Sequence, residues 1–206
     1  MLNFAENSPY LPSLKKLTCP IANNEGQRLQ SLDHSGTLLN INHSDPDFDR
    51  LSHLVARIFD TDVVLINYVH ADTNVITSKA GKLVNEIFVG DDYPREGSIC
   101  TYNVLPENED VFVVPNISKD SRFQALHKSL GIQFYAGAPI MLDDFKVGVL
   151  CVIDKKPREQ GLTMIECMNL LDIAAVVSSL VKERRDKYVK LNQERSRLVV
   201  DLSHNL

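Results

Sequence analysis

Two apolar, β-prone arms separated by a short polar turn occupy Gln133 to Asp154. Phe134, Tyr135, Ile140, Met141 and Leu142 make the first arm. Val147, Val149, Leu150, Val152 and Ile153 make the second. Asp143 and Asp144 predict the turn, because their short side chains bond nearby backbone groups. Gly137 and Gly148 lie inside the arms, where glycine marks a bulge or a close approach of ligand or backbone. Pro139 cannot donate a ladder bond, which puts its stretch at an edge or a bulge. The hairpin reads as the floor of a pocket or as plain core.

Upstream, Met1 to Asn23 has three prolines and no sustained period, and reads as a poorly ordered extension. Glu25 to Leu32 predicts a short helix. Asp45-Pro46 starts another, with Asp45 as cap and Pro46 at the first position. Phe48, Leu51, Leu54, Val55 and Ile58 follow at helical spacing as its apolar stripe. Val63 to Val69 and Val75 to Ala80 predict two strands joined by a loop from His70 to Asn74. Lys82 to Gly97 reads as a long loop. Ser98 to Leu105 predicts a turn or two of helix, and Val111 to Val114 a short buried strand. Ser118 or Asp120 caps a helix from Ser121 to about Leu130, and Gly131 ends it.

After the hairpin, Thr163 and Glu166 have the spacing of a capping box. From there to Leu206 the chain has neither Gly nor Pro. That predicts a helix of ~42 residues, roughly 60 Å long, whose far half must project from a small domain. Leu170, Ala174, Val177, Val181, Arg184, Tyr188, Leu191, Arg195, Leu198 and Leu202 recur in steps of four and three, all apolar except the two arginines. A seam of that kind predicts a coiled coil and a homodimer. The plainer alternative is one amphipathic helix with a solvated charged run from Lys182 to Lys187. The whole order implies an α+β domain. Its antiparallel sheet would carry terminal helices on one face and pocket-forming loops on the other.

The chain has 206 residues, enough for one domain with appendages or two small ones. A net charge of −5 argues against nonspecific nucleic-acid binding as the main task. Cys19, Cys100, Cys151 and Cys167 lack metal-ligand spacing and read as reduced thiols of a cytoplasmic protein. No apolar run reaches the ~20 residues of a membrane span, so no membrane partner is expected. The scattered histidines make no metal motif, and there is neither a phosphate-binding glycine loop nor a nucleophile elbow.

Phe134-Tyr135-Ala136-Gly137-Ala138-Pro139, followed by Gly148-Val149-Leu150-Cys151-Val152-Ile153-Asp154, resembles the central hairpin of the GAF domain, a sensory module related to PAS domains. The resemblance covers about Asn24 to Lys182. Asn24-Glu25-Gly26-Gln27-Arg28-Leu29 resembles the family's first helix. Ser98-Ile99-Cys100, Val113-Val114-Pro115-Asn116-Ile117 and Asp120-Ser121-Arg122-Phe123 resemble its middle segment. The chain thus divides into an extension (1–23), a GAF sensory domain (24–182) and a signalling helix (183–206).

The resemblance puts Cys100 in the pocket-side segment, as a covalent attachment point or redox sensor. Bilin-binding relatives place a histidine directly after their cysteine, and here Thr101 follows, so no bilin motif is present. No basic neighbour is visible to lower its pKa, and the alternative is a small buried hydrophobe. Tyr102, Phe112, Phe123, Phe134 and Tyr135 are expected either to wall a small-molecule site, with polar help from Arg122 or Asn116, or to fill the core. Arg122 reads equally as a structural pairing arginine. At the other end, Val199-Val200-Asp201-Leu202-Ser203-His204-Asn205-Leu206 resembles the start of the phosphoacceptor box of sensor histidine kinases. With Leu202 on the seam, His204 lies about 200° round and faces solvent. Asn205 stands where that family carries an acidic residue.

Together these features imply the sensory domain of a signal-transduction histidine kinase. It would lack catalysis by itself and, in its full-length protein, signal to a response regulator. A non-catalytic dimerisation scaffold, or a GAF regulator of another output enzyme such as a nucleotide cyclase, are the alternatives.

Overall fold

The computed structural model describes residues 19–34, 45–87, 92–108 and 110–204. Its first helix, α1 (Glu25–His34), packs against the strand Phe145–Asp154 and carries an arginine into the interior. Arg28 is fully buried and donates to the Val69 carbonyl at 2.6 Å. Glu25 takes Arg28 Nε and Nη2 at 3.0 and 2.7 Å and also pairs with the buried Arg95. A buried guanidinium must be paired, and one carboxylate serves both.

Helix α2 (Pro46–Phe59) begins as its sequence predicts. The Asp45 carboxylate accepts from the Asp47 and Phe48 amides, and Pro46 takes the first turn. Asp60 closes it in the left-handed region at φ 44°. The buried stripe differs from the expected one: Phe48, Ser52, Val55 and Phe59 face the sheet, while Leu54 and Ile58 are exposed. Ser52 is admitted because its hydroxyl is satisfied, by the Phe48 carbonyl and by Ser78 Oγ at 2.7 Å.

Strands β1 (Val63–Val69) and β2 (Thr73–Ala80) form a hairpin. The segment expected as a long loop contains a four-residue helix, α3 (Val84–Ile87), and a short strand, β3 (Asp92–Pro94), which pairs with β2. Then come α4 (Cys100–Asn103), β4 (Phe112–Val114), a 3₁₀ turn over Ile117–Lys119, and α5 (Gln124–Leu130). Gly131 ends α5 at φ 69°, as predicted. Asp120 takes the Arg122 amide rather than capping that helix. β4 was expected to be buried, but as an edge strand it is only partly covered.

Strands β5 (Phe134–Leu142) and β6 (Phe145–Asp154) are the predicted hairpin. Asp143 and Asp144 both have positive φ, 48° and 65°, the geometry of a two-residue turn matched to strand twist. β4 pairs with Tyr135 to Gly137 and stops short of Pro139, and a bulge follows Ile140. The imide therefore costs the ladder nothing on that side. The sheet is antiparallel throughout, in the order β3-β2-β1-β6-β5-β4.

Helix α6 (Met164–His204) opens with the predicted capping box. Glu166 Oε2 accepts the Thr163 amide at 2.7 Å, and Thr163 Oγ1 accepts the Glu166 amide at 3.2 Å. Leu170, Ala174, Val177 and Val181 are buried, and α6 packs chiefly on β5. The first part of the expected seam is therefore occupied by the chain's own sheet. Where α6 leaves the domain it is pinned twice: Arg184 pairs with Asp45 and Asp47, and Arg185 with Asp143. Beyond these, Leu191 and Leu198 are each 64% exposed. Among the described residues α6 is also long and apolar enough, over an 18-residue window, to cross a membrane by length and composition alone.

Candidate functional site

Side chains alternate across a strand, and β5 sorts the expected pocket residues by this rule. Phe134, Ala136, Ala138 and Ile140 face α2 and α6, while Tyr135 faces α4 and α5. Phe134, expected either to wall the pocket or to fill the core, is thus in the core on the opposite side of the sheet, with the Arg158 guanidinium 4.9 Å from its ring centre. Adjacent strand residues cannot wall one pocket.

The α4 face holds a buried polar cluster centred on Cys100. Its sulfur lies 3.4 Å from Tyr93 Oη, Tyr135 Oη and Asn67 Nδ2, and 3.9 Å from Cys151 Sγ. Tyr135 Oη also reaches Asn103 Oδ1 at 2.9 Å, and Asn103 Nδ2 donates to the Gly137 carbonyl at 2.9 Å. Gly137 makes this possible: a Cβ there would lie 2.3 Å from Asn103 Oδ1 and 2.5 Å from Tyr135 Oη. Burial alone would raise the Cys100 pKa. The hydrogen bonds from Cys151, Tyr135, Tyr93 and Asn67 outweigh it and bring the thiol down to about 6. Burial and the neighbouring Cys100 push Cys151 the other way. Cys100 thus sits among polar groups, and hydrogen bonding acts on its thiol in the direction that a basic neighbour would. Sequence reasoning missed Asn67, Tyr93, Asn103 and Cys151 as members of the cluster. The available signal was Asn67, an amide inside the largely apolar run of β1.

Tyr102, Phe112 and Phe123 form a separate group. Tyr102 and Phe112 stack at 5.9 Å, and Phe123 meets Tyr102 edge-on at 4.9 Å. The Arg122 guanidinium lies 4.9 to 5.5 Å from the three ring centres. It also holds Asp120 through two nitrogens. That pairing lowers the Asp120 pKa and raises that of Arg122. Arg122 is thus a pairing arginine capping an aromatic stack. Phe112 approaches Tyr135 at 6.5 Å and links the stack to the thiol cluster.

A groove of about 620 Å³ opens elsewhere, where α1, the β5–β6 turn and the projecting half of α6 meet. Gln27, Ser31, Asp143, Arg185, Val189 and Lys190 are among its walls. His204 ends α6, and its side chain lies outside the described residues. No group of three or more metal-ligating side chains occurs among the described residues.

Several solved structures share this fold. A domain assigned to a two-component sensor histidine kinase protein from Sinorhizobium meliloti superposes with a TM-score of 0.54 at 15% identity, covering 72% of this chain and 98% of that one. The blue-light absorbing form of the Thermosynechococcus elongatus PixJ GAF domain gives 0.53 at 14%, covering 86% and 98%. The GAF domain of an Acinetobacter phosphoenolpyruvate-protein phosphotransferase gives 0.53 at 19%, covering 78% and 94%. No curated protein matches the chain by sequence. The GAF domain family model, however, matches residues 31–181, most of the length, and this chain belongs to the GAF domain family.

Proposed function

We propose that this chain is the cytoplasmic sensory module of a signal-transduction histidine kinase and dimerises through the projecting half of α6. The observation that carries this reading is the helix itself. It is pinned to the domain at Arg184 and Arg185, then continues with Leu191 and Leu198 uncovered at a seven-residue interval. An exposed apolar stripe at that interval calls for a partner helix, and a second copy supplies an identical one. The likeness to a domain assigned to a sensor histidine kinase supports the choice of output. In this reading His204 accepts phosphate and passes it to a response regulator. A signal at the α4 face, from a small ligand or a chemical change, shifts the population of two α6 arrangements.

Light scattering tests the dimer. The parent chain should have the mass of two copies, and a Leu191→Asp/Leu198→Asp variant the mass of one. A monomeric parent refutes the reading. Incubation with ATP and a separate histidine-kinase catalytic domain tests the output: label should appear on the parent and vanish in His204→Gln. A stable dimer that never takes label favours the scaffold, a reading that gains from the candidate pocket being filled by its own side chains.

A further inference from the structure

We infer that Cys100 and Cys151 are a peroxide-responsive dithiol, which closes to a disulfide when a small hydroperoxide reaches the α4 face of the sheet. The two sulfurs are 3.9 Å apart although their residues are 51 positions apart in sequence. A disulfide needs about 2.05 Å between sulfurs. The remaining gap is small, and α4, which carries Cys100, is only four residues long. Both side chains are buried, so neither meets a thiol of another chain first.

The surroundings divide the labour between the pair. Tyr93 and Asn67 aim donors at Cys100, an arrangement that favours a negative sulfur, while Tyr135, equally close at 3.4 Å, has its one proton 2.9 Å from the acceptor Asn103 Oδ1. Burial, followed by the Cys100 charge, keeps both phenols protonated as donors. Cys151 stays a thiol beside the nucleophile. Asn67 Oδ1 is buried without a hydrogen-bond partner, an acceptor next to the sulfur for the O–H of a hydroperoxide. A plain core cysteine needs none of this polar equipment.

The chemistry balances with hydrogen peroxide as oxidant. The Cys100 thiolate attacks one peroxide oxygen; the S–O bond forms, the O–O bond breaks, and hydroxide leaves. That hydroxide takes the Cys151 proton and becomes water. The Cys151 thiolate then attacks the Cys100 sulfur, the S–O bond breaks, and a second hydroxide takes a solvent proton. Two thiol sulfurs lose two electrons, and one peroxide becomes two waters. None of this depends on α6, a dimer or a kinase, so it stands or falls apart from the proposed output.

The test uses the full chain with Cys19→Ser and Cys167→Ser, which leaves this pair alone. After brief hydrogen peroxide, the intact mass should fall by two hydrogens. Peptide mapping should join the Cys100 peptide to the Cys151 peptide, and dithiothreitol should restore both. With Cys151→Ser added, dimedone should trap a sulfenic acid at Cys100. An unchanged mass overturns the inference, and so does oxidation of Cys100 to sulfinic acid without the link. If the Cys151→Ser chain fails to fold, the cross-link in the parent pair decides alone.

Discussion

Gly137→Ala tests whether the polar cluster is as tightly built as its distances imply. The new Cβ would sit 2.3 Å from Asn103 Oδ1, 2.5 Å from Tyr135 Oη and 2.9 Å from Val149 Cγ1. The first two are side-chain ends and can swing aside. Doing so breaks the Tyr135–Asn103 bond and the Asn103 bond to the Gly137 carbonyl. Each buried bond is worth about 1 kcal/mol net, and more where a group is left unsatisfied. Pushing Val149 adds an overpacking cost of about 1–3 kcal/mol. The sum, roughly 3–5 kcal/mol, lowers the melting temperature by about 6–20 °C in a chain of this size. Thermal melts by circular dichroism read it directly. Gly26→Ala is the control: nothing lies within 4 Å of its new Cβ, and it sits in α1. There the added methyl should be neutral or stabilise by up to about 1 kcal/mol. A Gly137→Ala melt within about 2 °C of the parent refutes the argument, since that is less than 1 kcal/mol.

Burial would raise the Glu25 pKa, but hydrogen bonds from Arg28 and Arg95 outweigh it and hold the carboxyl at about 2 instead of 4.5. The folded form therefore keeps its charge where the unfolded chain takes up a proton. The resulting stability is complete above about pH 4.5 and drains as pH falls towards 2. Glu25→Gln should flatten that limb of a urea-midpoint profile, and unchanged slopes would contradict the assignment. Thr163→Ala removes half of the α6 capping box and should cost about 0.5–2 kcal/mol in urea unfolding. Its effect should shrink in a Glu166→Ala background, because the two side chains bond each other's amides. Arg122→Lys keeps the charge but loses the planar fork over the rings. At a half-exposed site this should cost about 0.5–1.5 kcal/mol, and a loss beyond that would mean the arginine holds more than the stack.

Much of the architecture was legible because it rests on local chemistry. Asp45-Pro46, the Asp143-Asp144 turn, Gly131 and the Thr163/Glu166 box each announce themselves within four residues. Glycine inside a strand, as at Gly137 and Gly148, predicts a bulge or a close approach, and a Cβ at Gly148 would lie 2.4 Å from the Asn67 carbonyl oxygen. Strand β3 was missed because Asp92, Tyr93 and Pro94 are too few to show a period and include a proline. The α2 stripe was misread because Ser52 is buried by virtue of a partner 26 residues away, which no helical wheel contains. The site was the least legible part. Its centre depends on side chains from β1, β3, α4, β5 and β6 converging on one sulfur. Spacing in the chain does not encode that meeting; only the register of the sheet does. Phe134 and Tyr135 were grouped by type, although strand alternation alone separates them.

That register also constrains how a change at Cys100 could reach α6. The direct path crosses the sheet at β5, where Tyr135 faces the cluster and its neighbours Phe134 and Ala136 face the helix layer. It is a stiff path, since β5 and β6 are matched at nine positions. The softer parts are short: α4 has four residues and β3 three. They connect to α6 by named bonds that go round the sheet. Tyr93 touches Cys100, and Arg95, two residues on, pairs with Glu25 of α1. One turn-and-a-half along α1, Ser31 reaches Asp143 at 3.3 Å, and Asp143 holds Arg185 where α6 leaves the domain. Adjacency of this kind becomes coupling only if some element has two arrangements. The groove between α1 and α6 is where such a pair has room, because α1 and the helix there are joined through Asp143 instead of by close packing. A chemical change that moves α4 is therefore expected to act on the angle at which α6 departs, not on the sheet beneath it.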